Sequence, residues 1–444
     1  MYRTLQMIAA AALMAWPGAA RADSNSHYQD MVVGERAAGM GGAFTALASE
    51  ATGAHYNPAG IVAASSTVIQ LSMSAYKLRS REVDVADLCG TKLSEDDDTF
   101  FSFPASFGFV KQFHTGSVHH GLGLTLVMPH TSKVGYSFLE RDGKCGPLGF
   151  DIGGSQMVVD RVLFGGVSYA IQPWRFLQLG VTVGLSVRSA THTGLMVQRW
   201  KNPKAQMRPY ISFLNADVSL WSLYFAAGVI VAPTERLRIG LSFTSPHVRL
   251  SGSGRLDWLE AQAMPADWRQ SALDVLDDAE FYWEVPFRLA LGVAYSGDRF
   301  TVAADVTLHG AVAPYEVYTH ARLPANTEVN ARDVVVNGNL GGELKLPKGI
   351  VLRLGAFTNF SSEPDDEPLV DAERIHMFGG TFGGSWVSDK GSSLSTAVVV
   401  QYGRGEVTGY KLSYSGASFK VEQPRVRTED LVVIVTVGGS YDLR

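Results

Sequence analysis

The chain has 444 residues, a formal net charge of −5 at pH 7, and 46% hydrophobic and 10% aromatic residues. So weak an acidic balance offers nothing to a nucleic-acid phosphate backbone. No segment after the first residues supplies the roughly eighteen uninterrupted apolar positions that a membrane-spanning helix needs, although a mean hydropathy of +0.05 still suits a β-barrel, where only every second residue faces lipid.

The chain starts with Met1-Tyr2-Arg3, an apolar core from Met7 to Trp16, a Pro17-Gly18 break and the small-residue site Ala20-Arg21-Ala22. This is the pattern of an export signal over residues 1–22, leaving a mature chain from Asp23. Residues 23–64 show little alternation and many small side chains, and read as a plug. Within it Gly39, Gly41 and Gly42 permit close backbone packing and positive φ, and Ala46 to Ala51 reads as one short helical turn. No strand precedes these glycines and no Lys-Ser/Thr follows, so they do not read as a nucleotide loop. In Asn57-Pro58-Ala59-Gly60 the proline fixes φ and the asparagine can bond nearby backbone.

From about residue 65 to the end the chain alternates apolar and polar residues. Leu177, Leu179, Val181, Val183 and Leu185 alternate with Gln178, Gly180, Thr182 and Gly184, while Phe300, Val302, Ala304 and Val306 alternate with Thr301, Ala303 and Asp305. Such runs predict strands at 66–78, 101–112, 119–130, 159–172, 175–192, 218–232 and 236–250, then at 283–296, 299–311, 333–346, 349–360, 374–388, 392–404 and 430–443, about fourteen in all. Every second junction is a tight turn, at 114–118, 173–174, 233–235, 297–298, 347–348 and 389–391. The others, near 79–100, 131–158, 193–217, 251–282, 312–332, 361–373 and 405–429, are long. Short turns at one end and long loops at the other predict an all-β transmembrane antiparallel barrel of the outer membrane, of about fourteen strands, with the plug of residues 23–64 inside it. A soluble β-sandwich would not sort its loop lengths so consistently.

Several positions stand out along these strands. Cys89 and Cys145, each in an expected long loop, are expected to pair in an exported chain, with two free thiols as the alternative. No ligand spacing suggests a metal site, and no cofactor is expected. Pro129 cannot donate to a ladder, so it marks either an irregularity beside the plug or the end of its strand. In the long loop after the seventh strand, Leu256, Trp258, Leu259, Met264, Trp268, Leu273, Leu276 and Phe281 form either an external apolar groove or a small core of the loop itself, with 266–277 reading as helical. Arg188, Arg236, Arg238, Arg288 and Arg353 fall on the inward face of the alternation. Of these, Arg188, Arg288 and Arg353 are candidates for gripping a carboxylate, against the default of a merely polar lumen. The acids Glu95 to Asp98 and Glu363, Asp365, Asp366 and Glu367 either sit solvated in loops or bridge cations to lipopolysaccharide. No nucleophile elbow or zinc-protease pair indicates an enzyme.

The chain resembles the FadL-type family of outer-membrane long-chain fatty acid transporters, which includes aromatic-hydrocarbon uptake channels. The resemblance runs over the whole mature chain and is carried most specifically by Gly39-Met40-Gly41-Gly42-Ala43 with Asn57-Pro58-Ala59-Gly60, similar to the family's hatch and its Asn-Pro-Ala motif. It implies passive uptake of a hydrophobic small molecule, with the hatch blocking the lumen and release sideways through a kinked strand. Thr436, Gly438, Tyr441 and Leu443 resemble the terminal signal read by the barrel-assembly machinery, although Arg444 follows where such signals end on an aromatic. A monomer is expected. The rival is a relative that does not transport but serves protein secretion as a scaffold or shuttle.

Overall fold

The computed structural model describes residues 26–64, 67–103, 106–201, 209–263, 268–319, 329–364, 373–415 and 418–443. The expected signal at 1–22 lies outside these residues, as do Met264, Asp365, Asp366 and Glu367.

A sheet with apolar side chains turned outward into hydrocarbon cannot leave an open edge, because an unpaired N–H or C=O is too costly there. This chain closes on itself. Its fourteen strands are β1 (Thr67–Leu88), β2 (Thr91–Phe103 and Ser106–Thr115), β3 (Val118–Cys145), β4 (Leu148–Trp174), β5 (Leu177–Lys201), β6 (Pro209–Val231), β7 (Leu237–Thr244 and Val248–Ala263), β8 (Trp268–Phe281 and Arg288–Ser296), β9 (Phe300–His309), β10 (Val335–Lys345), β11 (Ile350–Asn359), β12 (Glu373–Val387), β13 (Ser393–Thr408) and β14 (Arg425–Leu443). Each pairs antiparallel with the next, and β14 returns to β1 from Thr67↔Leu443 to Glu82↔Glu429. Each of the alternating runs overlaps one strand, and the short turns gather at one end.

Burial is inverted relative to a water-soluble sheet. Val167, Leu354, Phe378 and Leu394 are 61%, 67%, 62% and 61% exposed, while the inward-facing Ser168, Arg353 and Gln401 are 0%, 6% and 2% exposed. Exposed aromatics cluster at the two ends of this apolar belt: Trp174, Phe176, Phe300, Trp386 and Tyr441 near the short turns, and Tyr76, Trp221, Phe378 and Tyr402 toward the other end. Apolar flanks between aromatic girdles on a closed cylinder are the anatomy of an outer-membrane barrel.

The structure corrects the expected long loops. Above the belt several strands continue as paired hairpins: Arg79–Leu88 pairs with Thr91–Thr99, and Lys133–Cys145 with Leu148–Val159. Outside lipid neither face must be apolar, so alternation fades while backbone groups still pair. The expected helix at 266–277 is likewise a strand from Trp268, with Leu259↔Leu273 and Leu256↔Leu276 facing across the hairpin. There backbone pairing across the hairpin overrides the helical spacing.

Cys89 and Cys145 form a disulfide across 56 residues, joining the tips of the β1–β2 and β3–β4 hairpins. Around it Leu88, Leu93, Phe150, Ile152, Met196 and Leu412 form a buried cluster above the barrel. Replacing both cysteines with serine is expected to remove on the order of 2–4 kcal/mol of constraint. Limited proteolysis should then cut between residues 86 and 150 while the barrel itself keeps its heat-modifiable gel mobility.

The described amino-terminal residues run inside the barrel as α1 (Glu35–Gly39) and two 3-10 segments, Ala51–His55 and Pro58–Ala63. Helical turns therefore fall on either side of the expected 46–51 position. There Ala46 instead lies against Gly240 and Ala48 against Gly60, backbone on backbone, and such close approach fixes the path more firmly than a local helix would.

Candidate functional site

The amino-terminal segment is seated by inward glycines of the wall. A Cβ at Gly341 or Gly355 would strike the backbone at Met40 and Gly41, one at Gly180 would strike Pro58 and Ala59, and one at Gly228 would overlap Asn57 Oδ1. On the segment itself, Gly41 and Gly42 have φ of +62° and +81°, values that L side chains adopt rarely. Gly39 lies against Arg353 and Gly383, and Asn339 Nδ2 donates to Gly41 O at 2.6 Å.

Asn57 is fully buried. Its Nδ2 donates to Thr45 O at 3.0 Å and to the wall carbonyls of Val229 and Leu241 at 3.2 and 3.4 Å, while Oδ1 accepts from Ala59 N at 3.1 Å. One amide thus satisfies the turn and two barrel strands together, and Pro58 fixes the φ that the turn needs.

The five expected inward arginines divide by partner. Arg353 pairs with Glu343 at 2.8 Å, and Arg36 of the segment reaches the same carboxylate at 2.9 Å. Arg188 holds Asp160 at 2.6 Å beneath the Trp283 ring. Arg288 instead donates to two backbone carbonyls, His55 O at 3.2 Å and Tyr56 O at 3.3 Å, and among the described residues no carboxylate lies within ion-pair distance of it. Arg238 is half-buried. Arg236 is corrected to the exposed end, where it faces Asp298 at 3.4 Å, because the strand starts only at Leu237. Glu363, expected as a solvated loop acid, is also corrected: it is 7% exposed and bonds Arg332 at 2.8 Å.

Pro129 marks a break in the wall. β2 and β3 pair from Thr115↔Val118 up to Ser106↔Val127, and among the described residues no further. The ladder from β3 to β4 jumps from Val127 to His130, and the strand then continues to Cys145 rather than ending. From Pro129 to Ser132 four consecutive side chains are buried, so β3 turns inward here. Directly inside, Asp30 Oδ2 lies 2.6 Å from His130 Nδ1 and 3.9 Å from Lys77 Nζ. Burial would raise the Asp30 carboxyl, but the charges of His130 and Lys77 outweigh it and hold the group well below the ordinary range.

Between this break and the segment lies a cavity of about 100 Å³. Tyr28, His55 and Tyr56 line it from the segment, Val127 and Pro129 from the break, and Phe164, Tyr224, Ala226, His247 and Arg288 from the wall. Phe164 lies 5.5 Å from Tyr224 and 5.3 Å from His247, and Tyr224 stacks on His247 at 5.2 Å. Burial, with Arg288 nearby, pushes the His55 imidazole down to about 3, so at neutral pH it adds an uncharged ring 6.1 Å from Phe164. Rings at these spacings add roughly 0.5–1.5 kcal/mol per pair beyond area burial, and a cavity of ~150 Å³ accepts benzene. At about 100 Å³ this site is smaller than that, and Thr125, Thr182, Asp305 and Asn339 make part of its lining polar, so one compact ring is the most it matches and most of a long acyl chain would remain outside.

Of the residues expected to form either an external groove or a small core of the loop, the structure describes three side chains. Leu256 and Phe281 are buried with Ala216, Leu220 and Ala279, and Leu259 is half-buried. The side chains of Trp258, Trp268, Leu273 and Leu276 lie outside the described residues. Sequence reasoning missed Phe164, Tyr224 and His130. A signal was present: Phe164 and Tyr224 are large rings on inward faces otherwise made of Gly166, Ser168 and Ala170, or of Ser222, Ala226 and Gly228. Among the described residues no group of three or more His, Cys, Asp or Glu is placed to hold a metal ion.

No family model and no curated protein matches the chain. Solved structures do resemble it along nearly its whole length. A Pseudomonas aeruginosa FadL homologue is similar with a TM-score of 0.65 at 13% identity, covering 94% of this chain and 100% of that one. The P. putida toluene transporter TodX gives 0.60 at 16% identity over 95% of this chain and 100% of that chain. The Ralstonia pickettii toluene transporter TbuX gives 0.59 at 14% over 94% and 100%. At these identities the likeness establishes the fold, a FadL-type fourteen-strand barrel.

Proposed function

We propose, from the barrel fold shared with these transporters, that the chain carries compact hydrophobic molecules across the outer membrane by passive diffusion, aromatic hydrocarbons in preference to long-chain fatty acids. In this reading residues 1–22 are the signal peptide, 23–64 the hatch and 65–444 the barrel. The ligand enters from outside, rests in the ring-lined cavity and leaves sideways into the membrane at the break between β2 and β3. A passage opening into lipid preserves the hydrophobic driving force, about 25 cal/mol for each Å² kept from water, whereas a wet pore forfeits it. Lipopolysaccharide surrounds the monomer, and the assembly machinery inserts it. The observation that carries the reading is the aromatic cavity of about 100 Å³ beside Pro129.

The test is initial uptake of radiolabelled toluene and of radiolabelled oleate by cells producing the chain, against cells that do not. Toluene uptake should rise and oleate uptake should change little. A rise for oleate alone would reverse the preference, and no rise for either would reject transport.

A further inference from the structure

We propose that the Asp30–His130 pair bolts the amino-terminal segment to the broken strand β3 and thereby sets how often the lateral opening is uncovered. The inference rests on the transport reading above and adds its gate. Three observations converge on it. The ladder between β2 and β3 ends at Ser106↔Val127, and no backbone pairing joins the two strands beyond that point among the described residues. His130 is the first residue back in register after Pro129. Its Nδ1 lies 2.6 Å from a carboxylate of the segment that corks the bore.

The surroundings make the bolt sensitive to protons. His130 Nε2 lies 3.9 Å from Asp160, which Arg188 holds at 2.6 Å, and Lys77 reaches Asp30 at 3.9 Å while donating to Thr131 O at 3.1 Å. His27 of the segment also acts on Asp30. The imidazole therefore stands between two carboxylates, one from the segment and one from β4, each countered by a cation on its far side. Only the imidazolium carries a charge that both carboxylates attract, whereas the neutral ring keeps just the Nδ1 contact with Asp30. Protonation tightens the bolt, and its loss leaves a single weaker bond to Asp30.

The experiment compares cells producing the full chain, His130→Ala, Asp30→Asn, Asp30→Glu and the double variant His130→Ala/Asp30→Asn. Toluene uptake is measured from pH 5.5 to 8, with hydrogen exchange at residues 26–31 of the extracted proteins. Wild type should take up toluene several-fold faster at pH 8 than at pH 5.5. His130→Ala and Asp30→Asn should be fast and flat with pH, with exchange at 26–31 about tenfold faster, as expected for loss of a charged hydrogen bond. Asp30→Glu should restore part of the pH dependence, and the double variant should add nothing to either single one. Toluene uptake by variants that keep the wild-type rate and pH profile would overturn the bolt and leave the transport reading intact. No uptake by any form, wild type included, would overturn both.

Discussion

Replacing Asn57 with alanine is expected to loosen the amino-terminal segment more than any other single side-chain deletion within it. The amide has no exposed surface, and three carbonyl contacts and one backbone N–H converge on it. Truncation leaves buried polar groups unmatched, at about 1–3 kcal/mol, which corresponds to roughly five- to 150-fold in the population of the undocked segment. Hydrogen exchange at residues 45–62 should accelerate by one to two orders of magnitude, and the cells should become sensitive to large antibiotics excluded by an intact outer membrane. Gly228→Ala reaches the same state from the other side, since its new Cβ would occupy the place of Asn57 Oδ1. If both variants retain wild-type exchange, the segment is held elsewhere, with the shared Glu343 carboxylate between Arg36 and Arg353 as the next anchor.

Ala226→Phe should nearly abolish uptake while leaving the barrel folded. Ala226 faces the cavity from β6, is 8% exposed and sits two residues from Tyr224. A phenyl group there takes up most of a space of about 100 Å³, and the wall strands behind it are locked in ladders on both sides, leaving little freedom to relax. Toluene uptake should fall at least about tenfold, with Ala226→Leu intermediate, as expected when a ligand loses its pocket. Heat-modifiable mobility on gels should remain unchanged. Undiminished uptake by Ala226→Phe would show that the ligand takes another route.

The strands were legible because lipid imposes a rule that the sequence must obey locally. Leu179, Val181, Val183 and Leu185 must face hydrocarbon, so their period of two survives in a single sequence, and the same holds for Phe300, Val302 and Val306. Above the belt that demand disappears. The hairpins carrying Asp84 and Lys144 continue as strands with only short alternating stretches, such as Leu148, Phe150 and Ile152, to announce them. The segment motif was legible as a motif, but its fit was not, because Gly39, Gly41 and Asn57 owe their places to wall glycines far along the chain.

The break in β3 was half legible. Proline forbids a ladder bond at position 129, yet only the structure shows that the strand resumes and that Asp30, one hundred residues earlier, meets His130 there. The cavity was legible in hindsight from composition by face, since an inward Phe164 or Tyr224 breaks a run of glycine, serine and alanine. For the external apolar loop composition alone left groove and core open, and of its described side chains Leu256 and Phe281 pack into a core.

The central claim is that the bore is corked while a greasy route through the wall stays usable. Its most direct test pairs two measurements on one preparation: ion conductance of the purified protein in planar bilayers, and toluene uptake by the cells that supplied it. The account predicts brisk uptake with no steady open-channel current, and a current appearing only when Asn57 is replaced. A stable conductance in the wild-type protein that toluene blocks would contradict it, because the hydrocarbon would then be travelling through water down the axis rather than out through the side.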